Sequence, residues 1–248
     1  MIRSSPVKSG FSFSGVPVML ISRNRGKGKL LMYAKKQYVK VLNQAWDELE
    51  QRDWKETATR CALRADGGAY LMDSLGHTLR VEAGARQIFE PGGRPVRPIF
   101  QIVLLHHLLR DSGEAPAGED IPIHTFHDLM LYHNTIKWRS LDILAGAYGT
   151  RPELLESIGA RLGGEPRGIG DGSVMLRPMP RIRWTAVIHA EDDEFPAEAQ
   201  ILFDKNATAM MHPEDMVVLS ELLAHRLANM ANSEAGYAGD WQDTAEES

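Results

Sequence analysis

The chain has 248 residues, a net charge of −5, 43% hydrophobic residues and 25% charged residues. These values fit one large or two small soluble domains with a sizeable core. They exclude a disordered chain and a collagen-like repeat, and with Cys61 as the sole cysteine they exclude a disulfide scaffold.

A mildly acidic chain gets no bulk electrostatic help from nucleic acid, which is held by neutralising phosphates. The one basic run, Arg23, Arg25, Lys27, Lys29, Lys35 and Lys36, reads as a solvated leader. No stretch approaches the roughly 20 apolar residues that span a bilayer. Val16–Ile21 is too short for a signal-peptide core. The expectation is therefore a cytoplasmic protein without nucleic-acid or membrane partners. With one cysteine, the chain alone cannot supply the four thiolates of an iron–sulfur cluster. Cys61 itself reads as a small buried hydrophobe.

In chain order, residues 1–31 read as a disordered leader. The purine-rich codons implied by Gly26-Lys27-Gly28-Lys29 suggest a true translation start at Met32. Tyr38, Val41, Leu42, Ala45, Trp46 and Leu49 recur at helical spacing. Asp53-Trp54-Lys55-Glu56 has the form of a capping box opening a second helix. Ala69–Met72 and Thr78–Val81 flank Gly76 and predict a hairpin. Pro98 opens an apolar helix through Leu109, closed near Gly113 and hydrophobic all round, as a central buried helix is.

Asn134 is expected to cap a helix ending at Gly149, and Thr150 another that runs through Leu162. The glycine-rich run 163–172 follows a helix and leads to a strand, the reverse of a nucleotide-binding loop. It is expected to be a loop able to close over a ligand. Strands are expected at Arg183–His189 and Gln200–Phe203. A last helix, with Glu214 and Asp215 by its positive end, runs from Pro213 to about Ala231. Residues 233–248 form an acidic tail. Strands and helices segregate, which predicts a single α+β domain over residues 32–232, with a central buried helix, flanking helices and a small antiparallel sheet.

For chemistry, the densest polar segment is Glu191-Asp192-Asp193-Glu194-Phe195-Pro196, with Asp204 closing the strand after it. Carboxylates so crowded either stay solvated, pair with Arg177, Arg181 or Arg183, or hold a hard cation. His124, His127 and His133 are candidate metal ligands together with that loop. His106 and His107 point about 100° apart on a helix and read as core or boundary histidines. The chain has no His-Glu-x-x-His, Gly-x-Ser-x-Gly, Walker or EF-hand pattern. The site candidates are therefore Asp192, Asp193, Glu194, Asp204, His124, His127 and His133.

The order Leu104-Leu105-His106-His107-Leu108-Leu109, Ala117-Gly118-Glu119, Leu162-Gly163-Gly164, Gly170-Asp171, Pro180-Arg181-Ile182, Asp192–Ala197, Ile201–Asp204 and Pro213-Glu214-Asp215 resembles domain-of-unknown-function family 3786, over about residues 38–230. The resemblance implies a protein of anaerobes. Some members of that family carry a separate cysteine-rich iron–sulfur module like that of corrinoid iron–sulfur proteins, which this chain lacks. It assigns no reaction.

Three readings follow. One is an accessory protein that binds a divalent metal or a tetrapyrrole and serves an iron–sulfur or corrinoid partner. Another is an enzyme using the clustered carboxylates, with or without a divalent ion. The third is a protein-interaction domain whose acidic loop is structural.

Overall fold

The computed structural model describes residues 28–233. Helix α1 (Gly28–Glu50) buries Ala45, Trp46 and Leu49, one apolar stripe at helical spacing, and packs along α3 (Pro98–Arg110). The expected boundary between residues 31 and 32 falls inside α1; residues 1–27 and 234–248 lie outside the described residues. Asp53 caps α2 (Trp54–Arg60), its Oδ1 accepting the N–H groups of Lys55 at 2.7 Å and Glu56 at 3.1 Å.

The expected hairpin is present as β2 (Ala69–Ser74) and β3 (His77–Glu82), in register Met72 opposite Leu79. Flanked by β1 (Arg64–Asp66) and β4 (Gln87–Phe89), it forms a four-stranded antiparallel sheet. The domain is α+β, as expected, but it carries two antiparallel sheets. The second has five strands in the order β5–β9–β8–β7–β6: β5 (Asp120–Pro122), β6 (Glu165–Pro166), β7 (Gly172–Met179), β8 (Ile182–His189) and β9 (Glu198–Asp204). Strands of two or three residues show no period in sequence, which is why β1, β4, β5 and β6 were not expected.

Between β5 and β6 the chain is helical but irregular. Three-ten turns at Ile123–Thr125 and His127–Tyr132 lead into α4 (His133–Ile136), a π turn at Lys137–Leu141, α5 (Asp142–Tyr148) and α6 (Glu153–Ala160). Asn134 does not cap the helix expected after it: α4 begins at His133, with Tyr132 at the cap position and no side-chain cap bond. Thr150 does not cap α6 either: Pro152 precedes it, also without a cap bond, and α6 stops at Ala160 rather than Leu162. Proline's fixed φ suits a helix start and makes the cap hydroxyl dispensable.

Helix α7 (Pro213–Asn232) completes the core against the five-stranded sheet. Trp184 Nε1 donates to Ser220 Oγ at 3.2 Å, and Tyr148 OH donates to the Leu227 carbonyl at 2.7 Å. The acidic first turn of α7 is spent on tertiary bonds as well as on its dipole. His106 Nδ1 meets Asp215 at 2.9 Å, and Tyr132 OH donates to Glu214 at 2.8 Å. Burial lowers the His106 pKa, but the facing Asp215 carboxylate outweighs it and the net shift is upward.

The two sheets are joined at the β2–β3 turn, where Leu75 N–H donates to the Arg177 carbonyl at 2.8 Å and Ser74 Oγ to the Pro178 carbonyl at 2.7 Å. Gly76, at φ +75°, abuts Gly163 so closely that a Cβ would stand 2.9 Å from its nitrogen. A second tie surrounds the C-terminus of α3. The Arg60 guanidinium donates to the Leu108 carbonyl at 2.8 Å and to the Asp111 carbonyl. Arg181 donates to the Arg60 carbonyl and, at 3.1 Å, to the fully buried Asp111 carboxylate, whose other oxygen accepts Gly113 N–H at 2.9 Å. Arg181 makes these bonds from φ +65°, a backbone region costly for any residue with a Cβ.

Cys61 lies beside this tie, buried, its thiol donating to the Leu108 carbonyl at 3.6 Å, and burial pushes its pKa up to about 12. Three outcomes follow. Arg181→Ala removes the cation from a buried carboxylate and should cost roughly 3 kcal/mol in urea denaturation. Arg181→Gly should cost about 1 kcal/mol less, because glycine relieves the positive φ. Cys61 is a protonated thiol throughout the neutral range, so a thiol reagent at pH 8 should label it only as fast as the protein unfolds.

Candidate functional site: the outer face of the five-stranded sheet

The acidic segment forms an exposed turn between β8 and β9. Asp192 Oδ1 accepts the N–H groups of Glu194 at 2.8 Å and Phe195 at 2.7 Å, and these bonds hold its pKa below the usual carboxylate range. The arginines expected to anchor the loop are engaged elsewhere. Arg177 pairs with Glu165 at 2.7 Å, Arg181 with Asp111, and Arg183 with Asp120 at 2.8 Å. That expectation is corrected by register: Arg177, Arg181 and Arg183 sit around the β7–β8 turn, at the opposite end of β8 from the loop.

Asp204 is remote from the loop for the same reason, since β9 runs about 20 Å between them. It is buried and accepts the N–H groups of Ala117 and Gly118, each at 2.8 Å, so it orders the chain entering β5. His124, His127 and His133 are exposed. Ile123, Phe126 and Leu129 point inward at the three-residue spacing of three-ten turns, which directs the intervening histidines to solvent. Among the described residues, no group of three or more His, Cys, Asp or Glu side chains converges as a metal site would require. Replacing Asp193 and Glu194 together by Asn and Gln should change stability by less than about 0.5 kcal/mol in urea denaturation, as at other exposed sites.

A different place gathers unspent polar groups. The core face of the five-stranded sheet is formed by Val174, Leu176, Ile182, Trp184, Ala186, Ile188, Ile201 and Phe203, and the helices pack there. Pleating sends the alternate residues to the other face. Register places Asp120 opposite Asp204, with Arg183 beside it; next come Pro122, Leu202, Thr185, Met175 and Glu165; then Gln200, Val187 and Ser173; then Glu198 and His189. Met175, Val187 and Leu202 are buried yet stand apart from the main core, as a separate apolar floor.

The glycine-rich loop lies on this face. Arg167 N–H donates to the Ser173 carbonyl at 3.3 Å, Ile169 N–H to Ser173 Oγ at 2.9 Å, and Asp171 N–H to the Ile188 carbonyl at 2.9 Å. Gly170, at φ +64°, comes so near the sheet that a Cβ would meet Val187 Cγ1 at 2.9 Å. Asp171 Oδ2 in turn accepts Ala190 N–H at 2.8 Å, joining the glycine-rich loop to the root of the acidic turn.

At the opposite end of the face, Arg183 reaches across β9 to Asp120, and Arg167 approaches the same carboxylate at 3.8 Å. Arg183 also stands 3.7 Å from Asp204. Among the described residues, Asp120 Oδ1, Arg183 Nε and Thr185 Oγ1 are buried without a hydrogen-bond partner. Buried polar groups are nearly always bonded, and three that are not gather on this one face.

A family model described as a domain of unknown function, DUF3786, matches residues 53–226, well over half of the chain. The chain belongs to this family. No curated protein and no solved structure matches it. The DUF3786 match takes in both sheets, the outer face and the acidic turn, whereas α1 precedes it in sequence.

Sequence reasoning named Arg183 only as a loop anchor and missed Asp120, Arg167 and Thr185. One signal was available. Polar Arg183 and Thr185 alternate with apolar Ile182, Trp184 and Ala186, the pattern of a strand with one face turned from the core.

Proposed function

We propose that this DUF3786 protein is a cytoplasmic accessory protein of anaerobic redox metabolism, which binds a cofactor or the group a cofactor-carrying partner presents. The observation that supports it is the outer sheet face, where buried donors and acceptors stand unsatisfied over an apolar floor beneath a glycine-rich loop. The resemblance to proteins with an iron–sulfur module supports the redox setting. With one cysteine in the chain, a cluster would belong to the partner.

A protein-interaction role is the second reading. It is favoured by Met130, Leu131 and Trp138, large apolar side chains exposed by 63%, 95% and 49% along the irregular helical segment. The carboxylate-enzyme reading has less support, because Asp204 and the acidic turn lie at opposite ends of β9.

The decisive preparation is the full chain expressed and purified without oxygen, followed by an absorption spectrum, elemental analysis and native mass spectrometry. A bound chromophore, a stoichiometric metal or an adduct mass is expected. A colourless, metal-free protein of bare mass that also takes up nothing from an anaerobic cell extract overturns the cofactor reading. A protein partner retained in that preparation favours the interaction reading instead.

A further inference from the structure

The open half of the Arg183–Asp120 pair carries a more specific inference, which rests on the binding-protein reading. An arginine and a carboxylate side by side ordinarily close a two-bond fork. Arg86 does so with Glu50, Nε at 2.7 Å and Nη2 at 2.5 Å, and Arg64 does so with Asp73 at 2.6 and 2.8 Å. Arg183 and Asp120 make only one of the two bonds, Nη2 to Oδ2 at 2.8 Å. The fork's second donor, Nε, and second acceptor, Oδ1, have no partner among the described residues, and the Asp120 side chain is only 8% exposed.

Charge decides what can complete such a pair. Arg167 and Arg183 face Asp120 and Asp204, so the local balance is already neutral. An added carboxylate would accept from Nε but repel Oδ1, and an ammonium would do the opposite. A neutral group with an acceptor and a donor on one carbon satisfies both. A primary carboxamide has that arrangement, with its oxygen accepting from Arg183 Nε and its nitrogen donating to Asp120 Oδ1. Thr185 Oγ1, two residues along β8 on the same face, is available to the amide's second hydrogen, and Leu202 and Met175 supply an apolar bed for the alkyl part.

We propose that the outer face of the five-stranded sheet recognises a primary carboxamide, entering beside Arg167, the half-exposed side chain that lies against Asp120. The carboxamide comes either from a small free amide or from one borne on the rim of a large cofactor.

Calorimetry and amide chemical-shift mapping on the full chain, with propionamide, its near-isostere propionate, and the amide-rimmed corrinoid cobinamide as probes, test this. Propionamide should bind at least about tenfold tighter than propionate, because only it satisfies both groups. Its shifts should centre on Asp120, Arg183 and Thr185. Thr185→Val, which deletes one hydroxyl at constant shape, should weaken it several-fold, and Asp120→Asn should abolish the preference over propionate. Should Asp120→Asn fail to fold, as judged by circular dichroism, Thr185→Val and the probe comparison still decide.

Binding of cobinamide in competition with propionamide assigns the amide to a large cofactor, and binding of propionamide without cobinamide assigns it to a small molecule. Equal affinity for propionamide and propionate, no binding of any probe, or shifts away from this face overturn the proposal. A chromophore that co-purifies yet is not displaced by propionamide overturns this inference alone and leaves the accessory-protein reading standing.

Discussion

A buried carboxylate at the end of a buried helix is the constraint around which this molecule is arranged. Asp111 follows the apolar α3 and is removed from water, a position that costs several kcal/mol unless cations and hydrogen bonds surround it. Arg181 supplies the cation from the β7–β8 turn. Arg60 closes the same helix end from α2, where the exposed carbonyls carry the negative end of the helix dipole. Helix α2, the central helix and the β7–β8 turn of the five-stranded sheet are thereby fixed to one another at one polar knot. His107, buried beside it and donating to the Met210 carbonyl, brings in the chain before α7, and its burial pushes its pKa down.

That arrangement gives the five-stranded sheet two unlike faces. One is packed by α5, α6 and α7 and carries the hydrophobic core. Across the other, among the described residues, lie the glycine-rich loop and long side chains. A face roofed this way can stay dry enough to bury Met175, Val187 and Leu202 while leaving polar atoms without partners. The hydrophobic core and the unpartnered polar atoms thus lie on opposite sides of one sheet. The loop that sequence reading set aside as non-nucleotide forms part of the roof.

The long periodic elements were legible: α1 from its apolar stripe, α3 from its uniform hydrophobicity, the Gly76 hairpin, the Asp53 cap and α7. The acidic turn was legible as a loop but not in its partners. Its neighbours in sequence, Arg177, Arg181 and Arg183, are carried away from it by the length of β8. Asp171, read in sequence only as part of the glycine-rich run and the family pattern, is bonded to its root. The histidines failed as a cluster for a similar reason: three-ten periodicity, not proximity in sequence, decides which side chains face outward.

What the sequence by itself determined is the fold class, the buried helix and the burial of Cys61 as a small apolar side chain, because each depends on composition or local period. Which polar groups meet was decided only by tertiary structure. Asp120, Arg183 and Asp204 come from three strands whose order, β5–β9–β8, brings residues more than eighty positions apart into one row. Their pairing is set by strand register, and register is a property of the assembled sheet.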